Sequence, residues 1–170
     1  MKKIIFCIAI FFTVALQAQV KEVTIQAAGL TCSMCSNSIF KALQTLEFVE
    51  KVEPNIQTSS FHISFKPDAE IEFDKLKAKV EDAGFFVARF TVTMNFDRLS
   101  LENNKHVTVG KSVFHFLNVK DQVLTGQKTF RILDKGYVSA KEFKKNSSFT
   151  KMECYHTGEE SGTRIFHVSI

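Results

Sequence analysis

Val23-Thr24-Ile25-Gln26-Ala27-Ala28-Gly29-Leu30-Thr31-Cys32-Ser33-Met34-Cys35 decides how the first half of this chain folds. Val23, Ile25 and Ala27 alternate with Thr24 and Gln26, the period of a half-buried strand. Ala28 to Met34 breaks that alternation and reads as a loop. From Cys35 the period lengthens: Ile39, Leu43 and Leu46 recur at helical spacing, with Phe40 and Ala42 beside them. Ser33 or Ser36 is placed to cap this helix. Two thiols therefore sit at a strand-loop-helix junction. Their spacing lets two thiolates converge on one soft ion, or lets the pair close as a disulfide. The residues alone leave both outcomes open.

Working outward, Phe48 to Glu53 reads as a second strand, interrupted by Pro54 and Asn55. Phe61, Ile63 and Phe65 alternate with His62 and Ser64 as a third, ended by Lys66-Pro67-Asp68. Phe73, Leu76 and Val80 mark a second amphipathic helix, and Ala83-Gly84 supplies its C-terminal stop. A fourth strand begins at Phe85, with Phe86, Ala88, Phe90 and Val92 expected on one face. The order βαββαβ predicts an α+β fold of ferredoxin-like type over residues 20–92.

Those residues resemble a heavy-metal-associated domain, the family of small copper, mercury and cadmium carriers and of N-terminal domains in metal-pumping P-type ATPases. The resemblance rests on Gly29-x-Thr31-Cys32-x-x-Cys35, on Ala42-Leu43-x-x-Leu46, and on Val80-Glu81-Asp82-Ala83-Gly84-Phe85. It implies a non-catalytic protein with Cys32 and Cys35 as metal ligands. The cargo would be Cu(I) first, with Hg(II), Zn(II) or Cd(II) as alternatives. It also implies transfer by ligand exchange to a metal-transporting membrane protein or efflux component. Cys35 at a helix N-terminus suits this, because the backbone dipole there favours negative charge. Two positions depart from the family: Leu30 stands where Met is usual, at similar volume, and Phe85 where carriers often have Tyr or Lys.

Two rival readings use the same pair. A thioredoxin-type redox pair normally follows an aromatic residue, whereas Thr31 precedes Cys32. An exported thiol-disulfide enzyme would use Cys32 as nucleophile and Cys154 as resolving thiol. Met34 reads as loop surface, or as a weak third ligand. No Ser-His-Asp order, phosphate-cradling glycine loop or paired-carboxylate spacing supports a hydrolase or kinase.

The N-terminus reads as an address. Lys2 and Lys3 precede an apolar run from Ile4 to Leu16, and Gln17-Ala18-Gln19 offers cleavage after Ala18 or Gln19. The run is shorter than the ~20 residues that span a bilayer. Residues 1–18 are therefore expected to be a cleaved signal peptide, placing the mature protein outside the cytoplasm, in the periplasm, without a stable membrane span. Cleavage removes Cys7 and leaves three cysteines, an odd number that argues against a disulfide framework. Val20–Val92 carries 8 basic and 10 acidic residues, and Thr93–Ile170 carries 12 and 8. Neither balance indicates nucleic acid, and Lys141, Lys144 and Lys145 read as a solvated helix face. The chain has 18 Phe, 2 Tyr and no Trp, so its cores should be Phe-rich.

Residues 93–170 read as a small β-rich domain, with an OB-like barrel among the architectures that fit, joined near residues 93–104. Phe114 and Phe116 share one strand face, and Val113, His115 and Leu117 the other. Val123-Leu124-Thr125-Gly126 reads as a turn edge, and Phe130 and Ile132 as a strand closed by Asp134-Lys135-Gly136. Ser139 should cap a short helix with Glu142 in capping-box position. Phe149–His156 and Thr163–Ile170 read as a hairpin. On that reading Met152, Cys154 and His156 project from one strand face. Thioether, thiolate and imidazole together suit copper, with His115 and His167 as possible neighbours. The plainer reading makes Cys154 a buried filler and Met152 and His156 ordinary positions. His62 and His106 read as surface histidines.

Overall fold

The computed structural model describes residues 19–30 and 33–170. The expected signal peptide at 1–18, with its cleavage at Ala18, and Cys32 lie outside the described residues. The first half is built from β1 (Gln19–Ala28), α1 (Ser33–Gln44), β2 (Val49–Asn55), β3 (Ser60–Phe65), α2 (Phe73–Asp82) and β4 (Phe86–Leu101). β1 pairs antiparallel with both β3 and β4, and β2 pairs with β3. The order β2-β3-β1-β4 with two crossover helices is the ferredoxin-like arrangement. Periodicity accounts for it: Val23 and Ile25 of β1, Ile39 and Leu43 of α1, and Leu76 and Val80 of α2 are all fully buried in one core.

One detail of β4 departs from simple alternation. Gln26 pairs with Arg89 but Ala27 pairs with Val87, so Ala88 is an extra residue, a β-bulge. The bulge reverses which residues face inward. Val87 and Phe90 are buried, whereas Phe86 is 74% exposed. Phe86 therefore does not share the inner face of Phe90 and Val92, because one inserted residue flips a strand with a two-residue period.

β4 continues without interruption to Leu101, and the second half is laid onto its outer edge. Its elements are β5 (His106–Val109), β6 (Ser112–Phe116), β7 (Gln122–Ile132), α3 (Ala140–Asn146), α4 (Cys154–Thr157), β8 (Glu159–Glu160) and β9 (Thr163–Ser169). β7 pairs antiparallel with β4 from Thr91↔Arg131 to Leu101↔Gln122. β9 follows on β7, β6 runs parallel to β9, and β5 pairs with β6. The path β2-β3-β1-β4-β7-β9-β6-β5 has two ends. The second half is β-rich, but its strands build outward from β4, and the sheet is open where an OB-like barrel would be closed. Covering β4 also removes an unpaired edge that would otherwise invite association.

Two local expectations are corrected. Val123–Gly126 lies inside β7, where it pairs with β4 across a register shift between Phe96 and Leu99. Residues 149–156 do not form a strand: a 3-10 turn at Ser147–Phe149 leads to α4, and the short hairpin onto β9 is made by β8, after that segment. Ser139 does cap α3, its Oγ accepting from the Glu142 amide at 3.2 Å.

Phenylalanine knits the halves together. Phe73 of α2 packs against Phe90, Phe114 and Phe166, with ring centroids 6.0, 6.2 and 5.2 Å away. Asp74, the next residue, accepts from Arg164 Nε of β9 at 2.9 Å and from the Tyr137 hydroxyl at 2.7 Å. On the opposite sheet face, Leu117, Leu133, Val138 and Tyr155 form a second, smaller core. β6 and β9 are thus covered on both faces.

Candidate metal centres

β1 delivers the chain to Gly29, whose φ of +83° lies in the left-handed region that L side chains disfavour. Leu30 packs partly buried against the main core. Met34, read as a loop residue, is the second residue of α1, with its side chain 80% exposed. Cys35 is the third residue of α1 and half-buried. It lies in the first helical turn, where backbone N–H groups have no partner within the helix and the dipole favours an anion. α2 ends in a Schellman motif. Gly84, at φ +87°, donates to Glu81 O at 2.8 Å, and Phe85 donates to Val80 O at 3.2 Å. Phe85 then packs partly buried on the core.

The second half gathers a different set. His106 pairs with His115 across β5 and β6, and His115 pairs with His167 across β6 and β9. Directly paired residues share a sheet face, so three imidazoles form a row across three strands. Above the row stands Cys154, the first residue of α4, 3% exposed. Its Sγ lies 3.4 Å from His106 Nε2, 3.6 Å from His115 Nδ1 and 3.3 Å from His167 Nε2. The donor atoms of His106, His115 and Cys154 all fall within 4.8 Å of one another.

Each ring turns its other nitrogen to an oxygen. His106 Nδ1 faces Glu160 Oε2 at 3.1 Å, His115 Nε2 faces Asn104 Oδ1 at 2.9 Å, and His167 Nδ1 faces Asp134 Oδ1 at 2.7 Å. Asp134 is itself buried, accepts from the His167 amide at 3.2 Å, and has Arg164 Nη2 2.9 Å from its other oxygen, an ion-pair contact outside hydrogen-bond geometry. Burial, with the Glu160 charge adding to it, pushes the Cys154 thiol up. Burial, then the neighbouring His167 and His106, pushes His115 down to about 4, so its ring is neutral near pH 7.

The expected trio of Met152, Cys154 and His156 is not assembled. On a helix, residues two apart point to nearly opposite sides. Cys154 turns inward while His156 is exposed, its ring near Phe143 and Tyr155. The helical turn is closed by Gly158 N donating to Cys154 O at 2.8 Å. Met152 is half-buried, its amide donating to Thr150 Oγ1 at 3.1 Å. His106, read as a surface residue, belongs to the cluster. His62 lies, as expected, on the surface, against Glu22 at 2.9 Å.

Comparison with known proteins places the first half. The model of the heavy-metal-associated domain matches residues 24–86. The mercuric transport protein periplasmic component of Serratia marcescens is 36% identical over 86 residues, covering 50% of this chain and 93% of that protein. The chain belongs to the heavy-metal-associated domain family. A probable copper-exporting P-type ATPase of Archaeoglobus fulgidus is 39% identical over 66 residues, covering 39% of this chain; the chain spans only 8% of that ATPase's length. Among solved structures, oxidized MerP from Ralstonia metallidurans CH34 aligns with 41% of this chain and 96% of its own, at 31% identity and a TM-score of 0.38. The family match ends at residue 86, so the Cys154 cluster lies entirely beyond it.

The sequence did carry a signal for that cluster. His115 stands between Phe114 and Phe116, and His167 between Phe166 and Val168. An imidazole inside an apolar strand covered on both faces must find polar partners.

Proposed function

We propose that this protein is an exported carrier of a soft metal ion, most simply Cu(I), held between the thiolates of Cys32 and Cys35 and passed on by ligand exchange. It works by binding, without catalysis. The observation that carries this reading is Cys35 in the first turn of α1, behind a left-handed Gly29, in a chain of the heavy-metal-associated family. Two thiolates favour soft ions over hard ones. A two-coordinate ion held by surface thiolates stays open to attack by a partner's cysteines. That partner is proposed to be a metal-transporting membrane protein or efflux component, in keeping with copper-transporting ATPases among the relatives. Export rests on Lys2-Lys3, the apolar run and Ala18. Among the described residues, no helix is long and apolar enough to cross a membrane.

Hg(II) is the second reading, favoured by the 93% coverage of the small mercuric transport components. Both ions are tested together. Cu(I) and Hg(II) are titrated into reduced protein under chelator buffering, and Cys32→Ser with Cys35→Ser is expected to remove one tightly bound ion. Unchanged stoichiometry in that double variant overturns the reading. Measured turnover of a dithiol substrate would instead point to the redox alternative.

A further inference from the structure

We propose that Cys154, His106, His115 and His167 form a second, buried metal site for a borderline-soft transition ion, zinc or copper. The site goes beyond the carrier reading and does not depend on it. Its residues come from β5, β6, β9 and α4, all outside the family-matched segment.

Donor and acceptor counting is the first argument. The outer nitrogen of each ring faces an oxygen of Glu160, Asn104 or Asp134. A neutral imidazole has one N–H, and an oxygen partner places it on the outer side. With the rings in that neutral form, all three inner nitrogens are lone pairs aimed at one sulfur. A thiol has a single proton, which satisfies one of them. Two acceptors are left facing a sulfur at a site where His115, His167 and Cys154 are all buried. Buried polar atoms without partners are costly. A cation bound by the thiolate and the lone pairs satisfies every one of them at once.

Dimensions are the second argument. Zinc bonds of about 2.3 Å to sulfur and about 2.0 Å to imidazole nitrogen give a tetrahedral S···N edge of roughly 3.5 Å. The three observed separations are 3.4, 3.6 and 3.3 Å. His106, His115 and Cys154 provide a three-donor base, their ligand atoms within 4.8 Å of one another. His167, held by Asp134, lies outside that three-atom group but brings its Nε2 to 3.3 Å from the same sulfur, as the candidate fourth ligand. Three outer oxygens holding three rings in register is also the pattern by which metal ligands are oriented. A buried cysteine acting only as a filler has no need of such a shell.

The chemistry of the donors narrows the ion. One thiolate and three imidazoles suit zinc and copper and disfavour magnesium or calcium. The ligands differ from the proposed pair of thiolates in the first half, so the two sites should rank ions differently.

The test uses the full chain with Cys7, Cys32 and Cys35 each changed to Ser, which leaves Cys154 as the remaining thiol. Co(II), a spectroscopic stand-in for Zn(II), is expected to bind one-to-one with a thiolate charge-transfer band. Separate arms titrate Zn(II) and Cu(I) against colour-forming chelators, and the ion that saturates at the lower free concentration is assigned. Cys154→Ser should abolish the band. His106→Ala, at the rim, should weaken affinity at least ~10-fold while circular dichroism stays that of the parent. No binding of Co(II), Zn(II) or Cu(I) by the folded parent overturns the proposal, as does a band that survives Cys154→Ser. Should the Cys154 variant fail to fold, His106→Ala decides, and unchanged affinity overturns it. Because the first pair is absent throughout, failure here leaves the carrier reading untouched.

Discussion

The two thiol regions of this molecule are built in opposite ways. Cys35 lies in the first turn of a helix, half-buried, in a segment read from one short stretch of chain. Cys154 lies beneath the surface, amid three histidines drawn from residues 106 to 167. The difference teaches what each can do. A site made by one short stretch of chain needs no other strand to complete it, so on the carrier reading a partner's cysteines can reach it. A site made by three strands and a helix opens only by disturbing them, which suits retention. On the proposals above, one centre hands its ion on and the other keeps it.

The largest expected effect is a reciprocal loss. Cys32→Ser with Cys35→Ser should remove the readily exchanged ion and spare the Cys154 site, while Cys154→Ser should do the reverse. Metal analysis after dialysis against a soft-metal chelator distinguishes them. Equal losses in both variants would merge the two regions into one.

Next in size is Asp134→Asn. The carboxylate holds His167 Nδ1 at 2.7 Å and faces Arg164. Its neutral replacement should weaken metal affinity at the Cys154 cluster by about 10–100-fold. Binding at the first pair should not change, as read by parallel chelator competition.

Gly84→Ala probes the first half alone. A side chain at φ +87° costs about 1–2 kcal/mol, and space is not the cause, since nothing lies within 4 Å of an added Cβ. The denaturation midpoint should fall, while Zn(II) affinity of the second site holds.

The smallest effect concerns the joint between the halves. Burial alone would raise the Asp74 carboxyl, but hydrogen bonds from Arg164 and Tyr137 hold it below its ordinary value of 3.8. A carboxylate lowered in the folded state contributes stability above its unfolded pKa and loses it as pH falls through the folded one. The contribution is therefore full at pH 7 and fades below about pH 4. Asp74 is half exposed, so after solvent screening no more than about 1 kcal/mol is expected. Urea melts at pH 7 and pH 3 should show a smaller pH difference in Asp74→Asn than in the parent.

Much of the first half was legible because its signals are local. Val23-Thr24-Ile25, Ile39 with Leu43, and Ala83-Gly84 each declare an element within a few residues. The bulge at Ala88 was not legible, since an inserted residue shows only against its partner strand. In the second half, the alternation of Phe114 and Phe116 against His115 and Leu117 was readable and both faces proved buried. Residues 149–156 were misread because short apolar-polar alternation fits a strand as well as a helical turn. That error carried Met152 and His156 into a trio with Cys154 and left His106 on the surface.

By itself the sequence determined the ferredoxin-like half, the place of Cys35 at a helix entrance, and the chemistry available to it. Periodicity and spacing are properties of neighbours along the chain, and they suffice where a site is made by neighbours. Only the tertiary structure decided that the second half extends the same sheet and that Cys154 meets His106, His115 and His167. Those contacts are set by strand register across three chain segments, a quantity that no local stretch of residues contains.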